Sequence, residues 1–228
     1  MASLTTTATV MEPEISRVGL LDYGTRLRRA RLGLLVALIP VLMLFVSFTS
    51  AYVVRQGLPS LDPRTNNLIR DWIPVALPRL LLLNTFVLLV SSVSMELARR
   101  QIRARAVMET NSTGTGVSSS DPTRMPWLGM TLVLGFAFLF GQWTAWKQLA
   151  ANGFYVSTTP SSSFIYLLTG AHAAHLLGGV VALLIASVAA LLHRSLKTRS
   201  IVVDVTAWYW HFMALLWIYI FGLMKFVS

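Results

Sequence analysis

Three histidines lie inside stretches that are otherwise oily. His172 and His175 are three apart in "TGAHAAHLLGG", and His211 sits in "WYWHF", Trp208 to Phe212. A fourth, His193, follows the first pair. Imidazole can ligate a haem iron or another metal, carry a proton, or serve as a packed polar group. A polar group in lipid is costly, so each of these marks a function or a buried partner. No Cys, Asp or Glu stands near His172 and His175 to complete a ligand set. Counted at about 1.5 Å per residue, His175 lies roughly 25 Å from the inner end of its helix and His211 about 10 Å into its own. One iron would not reach both. These residues read as structural histidines, bonded to a carbonyl, a serine or a buried water.

The elements that position them are set by composition. The 228 residues are 55% hydrophobic and 12% charged, with mean hydropathy +0.64. Soluble domains carry about 25% charged residues, so this is an integral membrane chain. The net charge of +10 comes from arginines that flank apolar runs, which points to membrane orientation and anionic lipid rather than nucleic acid. With no cysteine there are no disulfides, iron–sulfur clusters or thiol-attached haem. No nucleophile–base pair or phosphate loop stands out.

Five runs can span, since a span needs roughly 20 apolar residues. They are placed near Leu32–Val54, Leu77–Leu97, Pro126–Leu149, Ser163–Leu192 and Val205–Val227. Nothing alternates like a barrel strand, so the fold class is all-α, an integral membrane bundle of five transmembrane helices. Thirteen of the 19 basic residues fall on one side, counting the segment before the first span and the loops after the second and fourth. The positive-inside rule then puts the N-terminus in the cytoplasm and the C-terminus outside. Residues 1–30 read as a cytoplasmic lead-in, partly disordered. Residues 31–228 form the membrane domain, with a mobile cytoplasmic loop at about 99–125.

Periodicity assigns faces to these helices. Asn84, Thr85, Ser91 and Ser92 share one arc of the second, and Thr131, Gly135, Phe138 and Gln142 form one stripe on the third. The fourth carries small residues at every fourth position, Gly170, Ala174, Gly178, Ala182, Ala186 and Ala190, a ridge for close helix approach. On the fifth, Asp204, Trp208, His211 and Leu215 are expected to line one side.

The same segments resemble haem-copper oxidase subunit III, in order and on all five spans. "SAYVVR" is similar to the family's A-Y-x-x-R helix end, and "LNTFVLLVSS" to its L-N-T…L-x-S-S helix. "TLVLGFAFLFGQ" is similar to T-x-x-x-G-x-x-F-x-x-x-Q, and "TGAHAAHLLGG" to TG-x-H-x-x-H-x-x-x-G. "DVTAWYWHFMALLW" resembles the last helix, with an acid, W-Y-W-H-F and a later tryptophan. The chain resembles the five-span form. It departs from the family at three buried acids, where Val41, Ala145 and Ala214 stand instead, so the histidines are expected to be neutral and without charged partners.

The resemblance implies a multi-pass subunit of the bacterial plasma membrane that binds no redox centre itself. Haem and copper would sit in partner subunits, with catalytic subunit I and phospholipid as partners and no nucleic acid. It implies sustained turnover and support of proton uptake as the contribution. The structural or lipid-contact candidates are Arg55, Asn84, Gln142, His172, His175, Arg194, Asp204, Trp208, Trp210, His211 and Trp217. Rival readings are an accessory subunit of a nitric oxide reductase and a histidine-ligated membrane cytochrome.

Overall fold

The computed structural model describes residues 5–61, 67–69, 72, 78–111, 126–191 and 196–226; side chains are described from Tyr23 onward, apart from those of 60, 61, 69, 106–111, 189–191, 196 and 197. Five helices follow in chain order: α1 (Thr5–Gly57), α2 (Leu80–Asn111), α3 (Pro126–Ala151), α4 (Pro160–Leu191) and α5 (Leu196–Phe226). All five contain a stretch long and apolar enough to cross a membrane. Between α1 and α2 lie β1 (Ser60–Leu61) and β2 (Leu68–Ile69), an antiparallel pair in the register Ser60↔Ile69 and Leu61↔Leu68. The fold is an all-α membrane bundle with this one small ribbon among the described residues.

The helices outrun the apolar runs that predict them. The span on α1 covers Tyr23–Gly57, and α1 as a whole starts at Thr5, so the lead-in and the first span are one element. The polar tail of α2 is helical to Asn111, so residues 99–111, expected in a loop, carry their arginines on a helix. On α5 the span begins at Thr198, which brings Asp204 inside the helix rather than at its edge. At these ends Arg31, Glu96, Arg99, Arg100, Arg103 and Asp204 find ionic partners, described below. The remainder of the expected loop, 112–125, with Leu77, His193, Arg194 and Val227, lies outside the described residues, as does the side chain of Ala190.

α2, α3, α4 and α5 form the packed bundle, with α2 against α3 and α5, and α4 against α5 and α3. α1 leans on α4 and α5 from the side. Half of the most apolar stretch of α5 is buried, against about a tenth of that of α1. Leu35, Val36, Ile39, Met43 and Val46 of α1 are exposed accordingly. In a bilayer such a face meets acyl chains or another subunit, since lipid is as apolar as leucine.

Two of the faces expected from periodicity hold. On α3, Thr131, Gly135, Phe138 and Gln142 are buried, together with Leu128, Ala145 and Leu149. On α2, Asn84 and Ser91 are buried, Thr85 and Ser92 are half-buried, and all four are hydrogen-bonded to other helices or bound by them.

The small-residue ridge of α4 is not the seam. Ala174 and Gly178 are exposed, and a Cβ on Gly170 would meet nothing within 4 Å. The buried side of α4 runs through Leu168, His172, Leu176, Gly179, Val180, Leu183 and Ala186. At 100° per residue a step of four overshoots a full turn by about 40°. A strict four-residue stripe therefore winds around the helix and leaves the packed face. The expected Asp204–Trp208–His211–Leu215 side of α5 fails similarly: Trp208 is 47% and Leu215 67% exposed, while Asp204 is fully buried. The packed face is one position off, through Val203, Ala207, Trp210, Ala214 and Trp217, at steps of three and four.

Candidate functional site

The interior polar groups of the bundle fall at two levels. The upper level is a seam of tryptophans and hydroxyls. Trp210 and Trp217 are seven apart, two helical turns, so both indoles of α5 face α2. Trp210 Nε1 donates to Ser91 Oγ at 3.1 Å and Trp217 Nε1 to Thr85 Oγ1 at 3.0 Å. Ser91 Oγ also donates to Thr131 O at 3.4 Å, Ser94 Oγ meets Thr131 Oγ1 at 2.8 Å, and Asn84 Nδ2 donates to Phe138 O at 3.1 Å. Both rings are fully buried. Buried Trp is accommodated where its N–H has a partner.

Glycines make room for this seam. A Cβ on Gly141 would lie 2.1 Å from Asn84 Oδ1, and one on Gly135 would lie 2.9 Å from Trp210 Cη2. Gly179 gives α4 its close approach, since a Cβ there would lie 3.0 Å from Tyr209 and 3.2 Å from Trp210.

The histidines divide by environment. His175 Nδ1 bonds Ala171 O at 2.7 Å, one turn back on its own helix, and its ring stands edge-on to Phe45 of α1. His211 Nδ1 lies 2.6 Å from Ser92 Oγ. Both are structural bonds of the expected kind. His172 differs: it is fully buried, and neither ring nitrogen has a hydrogen-bond partner among the described residues. Its ring is held by Phe138 at 5.9 Å and Trp217 at 5.0 Å, so packing rather than hydrogen bonding fixes it. His172 is thus level with Trp217, about 9 Å along α5 from His211 at 1.5 Å per residue. Flanking rings close in His172, and Ser92 and Glu96 stand at the two ring nitrogens of His211. His175 spends only Nδ1 on Ala171 O, and Tyr209 OH donates to its carbonyl at 2.8 Å, so it lies nearer to the level of His211 than the residue count suggested. Among the described residues no three of His, Cys, Asp and Glu gather as a metal would need.

The lower level is ionic and joins α1, α2 and α5. Asp204 is fully buried, yet three arginines converge on it. Arg31 grips it bidentately, Nε to Oδ2 at 2.7 Å and Nη2 to Oδ1 at 2.9 Å. Arg99 Nη1 reaches Oδ1 at 3.4 Å, and Arg103 Nε stands 3.7 Å from the same oxygen. Arg99 also forks onto Glu96, Nε to Oε2 at 2.7 Å and Nη2 to Oε1 at 2.9 Å, while Arg100 Nε donates to Oε1 at 2.8 Å. Parallel fork bonds of this kind are strong and geometrically specific. Glu96, Arg99, Arg100 and Arg103 share one side of α2 because they stand three, four and seven apart. Tyr23 OH and Ser200 Oγ, 2.9 Å apart, tie α1 to α5 close by.

His211 joins this cluster. Its Nε2 is 3.5 Å from Glu96 Oε2, which overturns the expectation that it has no charged partner. The family's missing acids mislead here, because Glu96 approaches from another helix. In the tautomer with hydrogen on Nε2, Ser92 donates to Nδ1 and Glu96 accepts from Nε2. Ser92, His211 and Glu96 thereby reproduce the order of a hydrolytic triad, which the sequence does not reveal. The surroundings do not support that chemistry. Both Glu96 oxygens are taken by arginines, and Ser92 sits mid-helix, where backbone N–H groups are spent on the helix and form no oxyanion hole. What the arrangement can do is hold charge and hydrogen bonds where three helices meet. Four guanidiniums face two carboxylates, so the cluster stays positive.

The remaining candidates have local roles. Arg55 Nη1 donates to Leu58 O at 3.1 Å just past the end of α1. Gln142 is buried with Oε1 unpartnered among the described residues, and Trp208 points outward. Sequence reasoning misses Glu96, Arg31 and Arg99 as a unit. The only signal was the acid–base spacing "ELARR" on α2.

A profile of the cytochrome c oxidase subunit III family matches residues 23–228, from the start of the first span to the end of the chain. The chain belongs to that family. Among similar proteins, a probable cytochrome c oxidase subunit 3 of Nocardia farcinica is 29% identical over 101 residues, covering 44% of this chain and 50% of the relative. A cytochrome c oxidase subunit 3 of Corynebacterium diphtheriae is 29% identical over 102 residues, 45% of this chain and 50% of the relative. The subunit 3 of Drosophila yakuba is 26% identical over 196 residues, 84% of this chain and 66% of the relative. The matches span about half the length of the bacterial relatives. With its five spans, this subunit III is a multi-pass protein of the bacterial plasma membrane.

Proposed function

We propose that this subunit III works without a redox centre of its own inside a haem-copper terminal oxidase. It packs against the catalytic subunit, holds phospholipid, and supports sustained turnover and proton uptake. The observation that carries the reading is the ionic cluster on Asp204, which uses a buried carboxylate to fasten three helices and leaves surplus positive charge there. Such a cluster gives rigidity and a local field that attracts anions of the adjacent leaflet. His172, His175 and His211 support the reading, since each is engaged in packing or in a bond within the bundle. Family membership supplies the oxidase context. Haem and copper belong, on this reading, to partner subunits.

The test is a turnover time course of the oxidase with and without this chain, beside a reduced-minus-oxidised spectrum. The expected result is an unchanged haem spectrum with faster inactivation or slower turnover when the chain is absent. Haem signal that falls in proportion to the chain would overturn the reading and return His172, His175 and His211 to consideration as ligands.

A further inference from the structure

An open groove of about 280 Å³ lies at the end of the bundle opposite the Asp204 cluster, where α3 turns into α4. Trp143, Trp146 and Lys147 of α3 line it, with Tyr155 and Val156 of the turn and Tyr166 of α4. Its walls are fixed. Trp146 Nε1 donates to Thr169 Oγ1 at 3.1 Å, and Tyr166 OH donates to Phe154 O at 3.0 Å. Thr159 and Ser162 cap the start of α4 reciprocally, N to Oγ1 at 3.2 Å and N to Oγ at 3.1 Å. From that cap Ser162 Oγ donates to Tyr155 O at 2.8 Å and Ser163 Oγ donates to Val156 O, so the two turn residues are pinned against the groove.

One side of the groove is open to a ligand. Trp143 and Tyr155 are 55% and 59% exposed. Lys147 Nζ lies 5.6 Å over the Trp143 ring, and no carboxylate pairs with it among the described residues. An apolar trough with one unpaired ammonium at its mouth suits a molecule with an acyl chain and a negative head. A quaternary ammonium head would suit the aromatic rings but is repelled by Lys147. Trp and Tyr rings also prefer the headgroup level of a membrane.

We propose that this groove is a binding site for an anionic phospholipid of the leaflet opposite the arginine cluster. The phosphate sits on Lys147, and one acyl chain lies along Trp143, Trp146 and Val156. This rests on the lipid-holding part of the proposed function and gives it a location that the ionic cluster does not share.

The test is native mass spectrometry of the full chain in detergent, with phosphatidylglycerol or phosphatidylcholine added. Wild type should retain phosphatidylglycerol over phosphatidylcholine. Lys147→Gln should weaken one phosphatidylglycerol site about fivefold, the loss of one basic contact at a membrane surface. Lys147→Arg should restore it, and Trp143→Ala should also weaken it. If wild type binds phosphatidylglycerol and Lys147→Gln binds it equally well, the groove is not the site, while the general lipid-holding reading stands. If wild type retains no phosphatidylglycerol, both are overturned. Equal retention of the two lipids, sensitive to Trp143→Ala but not to Lys147→Gln, would make the groove a choline cage and overturn the anionic assignment.

Discussion

Asp204 shows what one residue contributes when it is buried with its charge. Its side chain is 1% exposed, against 33% for Arg31 and 19% for Arg99. Removing one arginine leaves the carboxylate other partners, but removing the carboxylate leaves three guanidiniums crowded together. Breaking a buried ion pair from one side costs about 3–5 kcal/mol. Asp204→Ala should therefore destabilise the chain by about that much, and Arg31→Ala by less, in a denaturant titration in detergent. Equal effects would show that Arg31 is the indispensable partner. Gly141 offers a second residue-scale test. A Cβ 2.1 Å from Asn84 Oδ1 forces Asn84 away from Phe138 O, so Gly141→Ala should lose about 1–3 kcal/mol. Gly178→Leu should be far milder for the chain alone, because a Cβ there meets only Tyr209 OH, at 3.7 Å. Val41 packs against the core half-buried. Val41→Glu should lower recovery of the chain from membranes, as a charge in the bilayer centre costs about 2.5–3.5 kcal/mol on insertion scales. Improved recovery would mean that a partner for the carboxylate stands nearby.

At the scale of elements, polar periodicity is spent inside the bundle. The hydroxyl arc of α2 meets Thr131 and Phe138 of α3 on one side and Trp210, His211 and Trp217 of α5 on the other. That arc glues three helices rather than offering a surface to another subunit. Trp210→Phe keeps a phenyl ring but deletes the donor and part of the indole's volume, so it should cost about 1–3 kcal/mol, while Trp210→Ala opens a larger cavity and should cost about 3–5 kcal/mol. Thermal melts in detergent would rank them, and equal losses would show that the hydrogen bond outweighs the packing. α1 has the reverse character, with an apolar exterior and its firmest tie at Arg31. It is the helix whose docking should respond most to Asp204 substitutions, read as increased protease sensitivity between α1 and α2.

At the scale of the whole molecule, five helices among the described residues are long and apolar enough to cross a membrane, an odd number. The turn between α3 and α4 and the end of α5 must then share one side, and the start of α5 must lie on the other. The chain has no cysteine, so single introduced cysteines can be labelled without background. Asn152→Cys and Phe226→Cys should react with an impermeant maleimide from the same side, outside by the arginine distribution, and Thr198→Cys from the other. Labelling of all three from one side would remove two spans, α4 and α5, and break the match to the family.

Much of this architecture was legible in the sequence because it is local. Span number follows from length and hydropathy, and a run of apolar residues has few alternatives to helix in lipid. The buried faces of α2 and α3 were legible because their polar residues recur at helical spacing. The Asp204 cluster was not. Arg31 and Arg99 stand 173 and 105 residues from Asp204, and nothing local states how each helix is rotated about its axis. That rotation is decided by the large side chains, Trp210 and Trp217 above all, which find room only over Gly135, Gly179 and the α2 hydroxyls. The same rotation turned Gly178 and Trp208 outward, although their spacing pointed in. It also brought Glu96 of α2 to His211 of α5. Sequence determined which groups are polar within the membrane; packing alone decided which of them meet.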